Sequence, residues 1–189
     1  MTPRRFFTTT GKPFPYTVLD ERAGILQPRG CYQLAEDNQK VPHLEPATFA
    51  SAQEKALAGQ RLTETGDHLG AYHQFIAALN ELPEPRSQWN ATGWLLLALG
   101  ENSIRAGNFP AAKAPLADAM WCPGCLGNPW AHLRLGQVRY ELNEKDRAAD
   151  ELARAYMGGG REIFEGQDPK YFALVEEVLD PPPGMDRLP

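Results

Sequence analysis

The sequence predicts an all-α chain of three helical hairpins and a closing helix, preceded by an irregular arm. Three observations lead there. Small residues recur at fixed places in three copies between about residues 52 and 162. Glycine or asparagine stands between the two halves of every copy. A helix-spaced apolar set follows residue 168 and is stopped by Pro181, Pro182 and Pro183.

The arm, residues 1–46, is rich in Pro, Thr and Gly, and no helical period runs through it. Its aromatic residues Phe6, Phe7, Phe14, Tyr16 and Tyr32 favour an extended arm packed on the body over a disordered one. Arg4-Arg5-Phe6 faintly resembles a twin-arginine export signal, but Thr8 to Pro13 interrupt the apolar stretch such a signal needs. The first copy, about 52–85, carries Gly59, Gly66, Ala71, Phe75, Ala78 and Pro83. The second, about 93–124, carries Gly100, Gly107, Ala112, Leu116 and Ala119. In the third, about 129–162, Gly136, Ala148, Leu152 and Ala155 all stand 36 residues further on.

Each residue type has a physical reason. A glycine in mid-helix costs up to about 1 kcal/mol relative to alanine, so Gly59, Gly100 and Gly136 imply a close neighbouring helix. Ala71, Ala112 and Ala148 open a contact stripe that Ala78, Ala119 and Ala155 continue two turns later. Gly66, Gly107 and Asn143 fall where a left-handed backbone is needed between helices. The final helix, 168–180, has Asp168 as N-cap and Pro169 in the first turn, then Tyr171, Phe172, Leu174, Val175, Val178 and Leu179 at helical spacing.

Across roughly residues 52–162 these landmarks resemble the tetratricopeptide repeat family, whose unit is a helix-turn-helix of about 34 residues. The resemblance implies a solenoid of three repeats, with 168–180 as its capping helix. It also implies a concave groove lined by the second, fifth, ninth and twelfth residues of each copy. These are Gln53, Ala56, Gln60 and Thr63, then Trp94, Leu97, Glu101 and Ile104, then Trp130, Leu133, Gln137 and Tyr140. The last eight form the expected partner-binding groove, and aromatic residues of this kind dominate protein-protein contacts. The alternative is that the arm or a later helix covers this surface. Arrays of the family that clamp a chaperone's terminal carboxylate use Lys, Asn and Arg at five groove positions. Here Ala56, Gln60, Ala98, Trp130 and Arg134 stand there, and only Arg134 fits.

The stretch Trp121-Cys122-Pro123-Gly124-Cys125 is the strongest rival signal, close to the motif of thioredoxin-like oxidoreductases and to half a zinc site. In the repeat frame it falls in the loop between the second and third copies, after a helix C-terminus that disfavours a thiolate. The expectation is a turn containing two semi-buried thiols. His132 is the one nearby candidate for a third metal ligand, with Cys31, His43, His68 and His73 distant in sequence. His73 has no evident charge partner, and the pairs Asp150-Glu151 and Glu176-Glu177 read as solvated helix faces.

No nucleotide-binding, zinc-protease or serine-hydrolase motif is present, so the expectation is a non-enzymatic protein without catalytic residues, cofactor or metal. The 189 residues are 42% hydrophobic, enough for a sizeable core, and no run approaches the roughly 18–20 apolar residues of a membrane span. Net charge is -5 with scattered Lys and Arg, which points away from nucleic acid and toward a basic protein partner. The three cysteines, Cys31, Cys122 and Cys125, are too few and too odd for a secreted disulfide framework, so the expectation is a cytoplasmic protein with no membrane partner. Segments such as HLRLGQVRYEL and DPKYFALVEEVL are similar to bacterial proteins of the tetratricopeptide class that act as immunity partners of secreted polymorphic (Rhs-type) toxins. That resemblance implies an antitoxin that buries a toxin surface. A chaperone for a secretion-system substrate is the alternative, followed by a small redox or zinc protein using Cys122 and Cys125.

Overall fold

The computed structural model describes residues 44–188 in full, together with the backbone of two short strands, β1 (Thr17–Asp20) and β2 (Ile25–Pro28). The strands pair antiparallel with Thr17 opposite Pro28 and Asp20 opposite Ile25, so this part of the arm is a hairpin where no regular element was expected. The rest of the arm lies outside the described residues.

The described body is all-helical. Helices α1 (Pro46–Thr65) and α2 (His68–Glu81) form a first antiparallel pair, α3 (Asn90–Arg105) and α4 (Phe109–Ala119) a second, and α5 (Pro129–Glu141) and α6 (Lys145–Gly159) a third. Each pair packs on the next, and α7 (Pro169–Val178) closes the series against α6. A 3-10 turn at Arg86–Gln88 leads into α3, and another at Arg161–Phe164 separates α6 from α7.

The same device turns the chain inside each pair. Gly66, Gly107 and Asn143 take φ of 86°, 71° and 60°. In each turn the following amide reaches back five residues: Asp67 N to Leu62 O at 2.9 Å, Asn108 N to Ser103 O at 2.8 Å, and Glu144 N to Arg139 O at 2.8 Å. This pattern satisfies the last carbonyls of the incoming helix. The next helix then starts on a cap, with Asp67 accepting from Gly70 N and Asn108 from Ala111 N.

Inside the pairs, small residues of one helix face large ones of its partner. A Cβ on Gly59 would stand 2.8 Å from the Phe75 ring, one on Gly100 2.4 Å from Leu116, and one on Gly136 2.7 Å from Leu152. Phe75, Leu116 and Leu152 are fully buried, each worth about 1.5–3 kcal/mol in apolar surface removed from water. Ala71, Ala78, Ala112, Ala119, Ala148 and Ala155 show no exposure at all, so the alanine stripe is the seam of each hairpin.

The left-handed turns give a test with opposite signs at two sites. An L side chain at this φ costs about 1–2 kcal/mol, so Gly107→Ala should lower unfolding stability by that amount, although nothing crowds its Cβ. Asn143→Gly should leave stability unchanged or raise it. Urea denaturation of both variants measures this, and an unaffected Gly107→Ala would contradict it.

Candidate functional site

The expected groove residues fall into two groups. Trp94, Glu101, Ile104, Trp130 and Tyr140 are half-buried. Leu97 (7% exposed), Leu133 (0%) and Gln137 (3%) are buried and do not line an open surface. The fifth position of every copy behaves the same way, since Ala56 is 1% exposed. The cause is packing between neighbouring pairs. Leu97 lies in the apolar cluster that also holds Cys122, Cys125 and Ala131, and Leu133 lies in the one that holds Phe164, Tyr171 and Val175. In the third pair α7 and the turn before it supply the residues that pack on Leu133.

A polar network runs along the same side. Arg134 Nε lies 2.7 Å from Glu101 Oε2, joining α5 to α3, while Arg105 Nε lies 3.0 Å from Glu101 Oε1. Arg134 NH1 donates to Gln137 Oε1 at 2.8 Å and to Gln167 Oε1 at 3.1 Å, and Gln137 Nε2 donates to Gln167 Oε1 at 2.9 Å. The guanidinium also sits 4.0 Å from the centre of the Trp130 ring. Burial pushes the Arg134 guanidinium down from its ordinary value, and the Glu101 charge opposes that shift. Arg134 is therefore committed internally and is not available as the one carboxylate-clamp residue that the sequence offers.

Further along, Tyr140 meets Tyr171 edge to face at 5.5 Å. Tyr171 Oη donates to Glu141 Oε1 at 2.7 Å, and Lys170 Nζ lies 2.7 Å from the same oxygen. Burial and the Glu141 hydrogen bond push the Tyr171 hydroxyl well up, so it stays a neutral donor. These contacts dock α7 on α5.

The cysteine loop is built as a series of turns. Cys125 N donates to Cys122 O at 3.2 Å around Pro123 and Gly124, with Gly124 at φ 76°, and Asn128 N donates to Cys125 O at 3.0 Å. Asn128 then caps α5 by accepting from Trp130 N. Both cysteines are buried rather than semi-buried, and neither is in a disulfide. A Cβ at Gly93 of α3 would stand 2.5 Å from Cys125 Sγ, so α3 runs directly against the loop. Burial, helped by the Asp118 charge, pushes the Cys122 thiol up, which keeps it protonated and a poor nucleophile. Among the described residues no three His, Cys, Asp or Glu side chains are grouped as metal ligands. Cys31 and His43 lie outside the described residues.

His132 has a structural partner. Its Nε2 lies 2.6 Å from Leu126 O and its Nδ1 2.5 Å from Glu151 Oε2, while Arg139 NH1 donates to Glu151 Oε1 at 2.8 Å. Glu151 is thus buried at 8% exposure, which corrects its reading as part of a solvated pair; Asp150 beside it is exposed and pairs with Arg154. The triad ties the cysteine loop to α6. His73 and the Glu176-Glu177 pair are exposed, and His73 lies edge-on to Tyr72 at 5.7 Å.

Sequence reasoning passed over the residues that flank the two thiols. Trp121 is 84% exposed and Leu126 68%, both on a loop held by the buried cysteines and His132. Their exposure follows from the loop's turns, for which the sequence offers only Pro123-Gly124 as a signal. No known family, curated protein or solved structure matches this chain.

The α5–α7 contact carries an acid dependence. Burial raises the Glu141 carboxyl, but hydrogen bonds from Lys170 and Tyr171 and the Lys170 charge outweigh it and hold the group below its ordinary value. A carboxyl depressed on folding stabilises above its unfolded value, near 4.3, and that contribution is lost as pH falls through the folded value. Stability of the unmutated chain should therefore drop more steeply below about pH 4.3 than that of Glu141→Gln, as urea titrations across pH 2–7 would measure. Parallel curves would contradict the assignment.

Proposed function

We propose that this chain is a three-repeat, tetratricopeptide-like binding module that works without chemistry of its own, as an immunity protein neutralising a secreted bacterial toxin in the cytoplasm. The observation that supports it best is the half-open strip on the first helices of the second and third pairs. Trp94, Ile104, Trp130 and Tyr140 keep part of their surface there. The Glu101–Arg134 bridge joins the two helices between them, at 2.7 Å.

A strip of this kind suits recognition of a protein surface. Aromatic side chains held in place lose little entropy on binding, and residues of this type supply most of the free energy of an interface. The net charge of -5 supports a basic partner, drawn in by long-range attraction. A toxin domain is neutralised when its active surface is buried, which requires fit and charge match alone. The third pair contributes mostly through Trp130 and Tyr140, because Leu133 and Gln137 are already covered.

The test is co-expression with the product of the neighbouring gene, which this reading expects to be a toxin domain. Growth should be rescued, and the purified pair should bind in calorimetry. Trp94→Ala should then weaken binding by about 2 kcal/mol or more while leaving helicity intact. Rescue without any complex, or unchanged affinity in a folded Trp94→Ala variant, would remove the strip as the binding surface.

A further inference from the structure

Beyond α7 the chain does not run off into solvent. Pro181, Pro182 and Pro183 are exposed, and so are Gly184, Met185, Asp186 and Arg187. Leu188 is then 6% exposed and belongs to the apolar cluster of the last helices, with Ile163, Phe164 and Phe172. The return is made by a turn in which Met185 N donates to Pro182 O at 3.0 Å, with Gly184 at φ 87°. Pro183-Gly184 is the pair such a turn selects, proline fixing the first central residue and glycine supplying the positive φ.

The place that receives Leu188 has its own construction. Phe172 packs on Phe164 at 5.2 Å and on Tyr156 at 5.8 Å. The Arg161 guanidinium lies 4.4 Å from the centre of the Phe172 ring and 4.0 Å from Glu176 Oε1. From there its NH1 donates to Leu188 O at 3.4 Å. The contact is thus one aliphatic side chain in an aromatic setting and one backbone carbonyl held by a cation. The seven residues before Leu188 stay exposed and add a stiff proline spacer.

We propose that the face formed by Arg161, Ile163, Phe164 and Phe172 is a binding site for a short, turn-containing, leucine-anchored peptide segment, occupied here in cis by the chain's own residues 180–188. The site reads one aliphatic side chain and the carbonyl of the same residue, so it accepts the same short segment supplied as a separate peptide. A tethered segment presents its leucine at an effective concentration in the millimolar range, which keeps the site filled against weaker ligands in solution. The site lies in the apolar cluster of the α6–α7 end, whereas Trp94 packs on the cluster of the first two pairs.

The experiment uses the full chain with Leu188→Asp and a fluorescein-labelled peptide of residues 180–188, followed by anisotropy. The variant chain should bind the peptide saturably and at least tenfold more tightly than the unmutated chain, whose site is filled. A peptide carrying Leu188→Asp should not bind. Absence of saturable binding by a variant of unchanged helicity would overturn the assignment, as would equal binding of the two peptides. If Leu188→Asp loses helicity, Leu188→Ala takes its place with the same expectations. In the unmutated chain the Leu188 methyl resonances should be shifted upfield by the surrounding rings, and random-coil positions would overturn the proposal without any variant.

Discussion

One steric constraint sets the geometry of all three hairpins: a glycine in the first helix makes room for a bulky side chain sixteen residues later in the second. Gly59 faces Phe75, Gly100 faces Leu116 and Gly136 faces Leu152, each with too little space for a Cβ. The interaxial distance follows from that contact, since no side chain intervenes on one side. The alanine stripe from Ala71, Ala112 and Ala148 lets the helices stay close along their length. With the distance fixed, the left-handed turns at Gly66, Gly107 and Asn143 need only reverse the chain over two or three residues. A glycine in mid-helix is unfavourable alone, so its recurrence reflects what the partner helix requires.

Packing between pairs follows a different logic, and it shapes the candidate site. Within a pair the contact is mainly apolar, small against large. Between pairs it combines an apolar layer, including Leu97 with Cys122 and Cys125, with a polar bridge from Arg134 of α5 to Glu101 of α3, while the His132–Glu151 bridge lies inside the third pair, between α5 and α6. A largely buried ion pair of this kind adds little net stability, but breaking it leaves an uncompensated charge, so Arg134 and Glu101 hold the second and third hairpins in one relative arrangement. That bridge joins α3, which carries Trp94, to α5, which carries Trp130. The irregular cysteine loop is anchored on two sides: its thiols face α3 and His132 ties its Leu126 carbonyl to α6.

The all-α class was legible in the sequence, and the reason is physical. Glycines, alanines and their large partners sit at local, regular spacings, so the pattern of Gly100, Gly107, Ala112 and Leu116 encodes contacts that are close in sequence. The apolar set Tyr171, Phe172, Leu174 and Val175 reads as a helix for the same reason, and all four are buried. Much of the candidate site was not legible. Leu97 and Leu133 are covered by elements from other parts of the chain, and a helical period does not say which neighbour covers which stripe. Glu151 looked solvated beside Asp150 because its partner His132 lies nineteen residues away on another helix. Gln167 and Leu188 sit in segments without periodicity, where only the folded chain shows what they touch.

The interlock of glycine with a large partner side chain is tested most directly by a double-mutant cycle on Gly100 and Leu116, with stability measured in urea. In the unmutated background a methyl at position 100 meets a fully buried Leu116 at 2.4 Å, so Gly100→Ala should destabilise by about 1–3 kcal/mol despite the better helix propensity of alanine. In the Leu116→Ala background the space is vacated, and the same substitution should become neutral or stabilising. A Gly100→Ala effect of the same sign and size in both backgrounds would mean that the glycine does not serve its partner, and the account of the hairpin would fail.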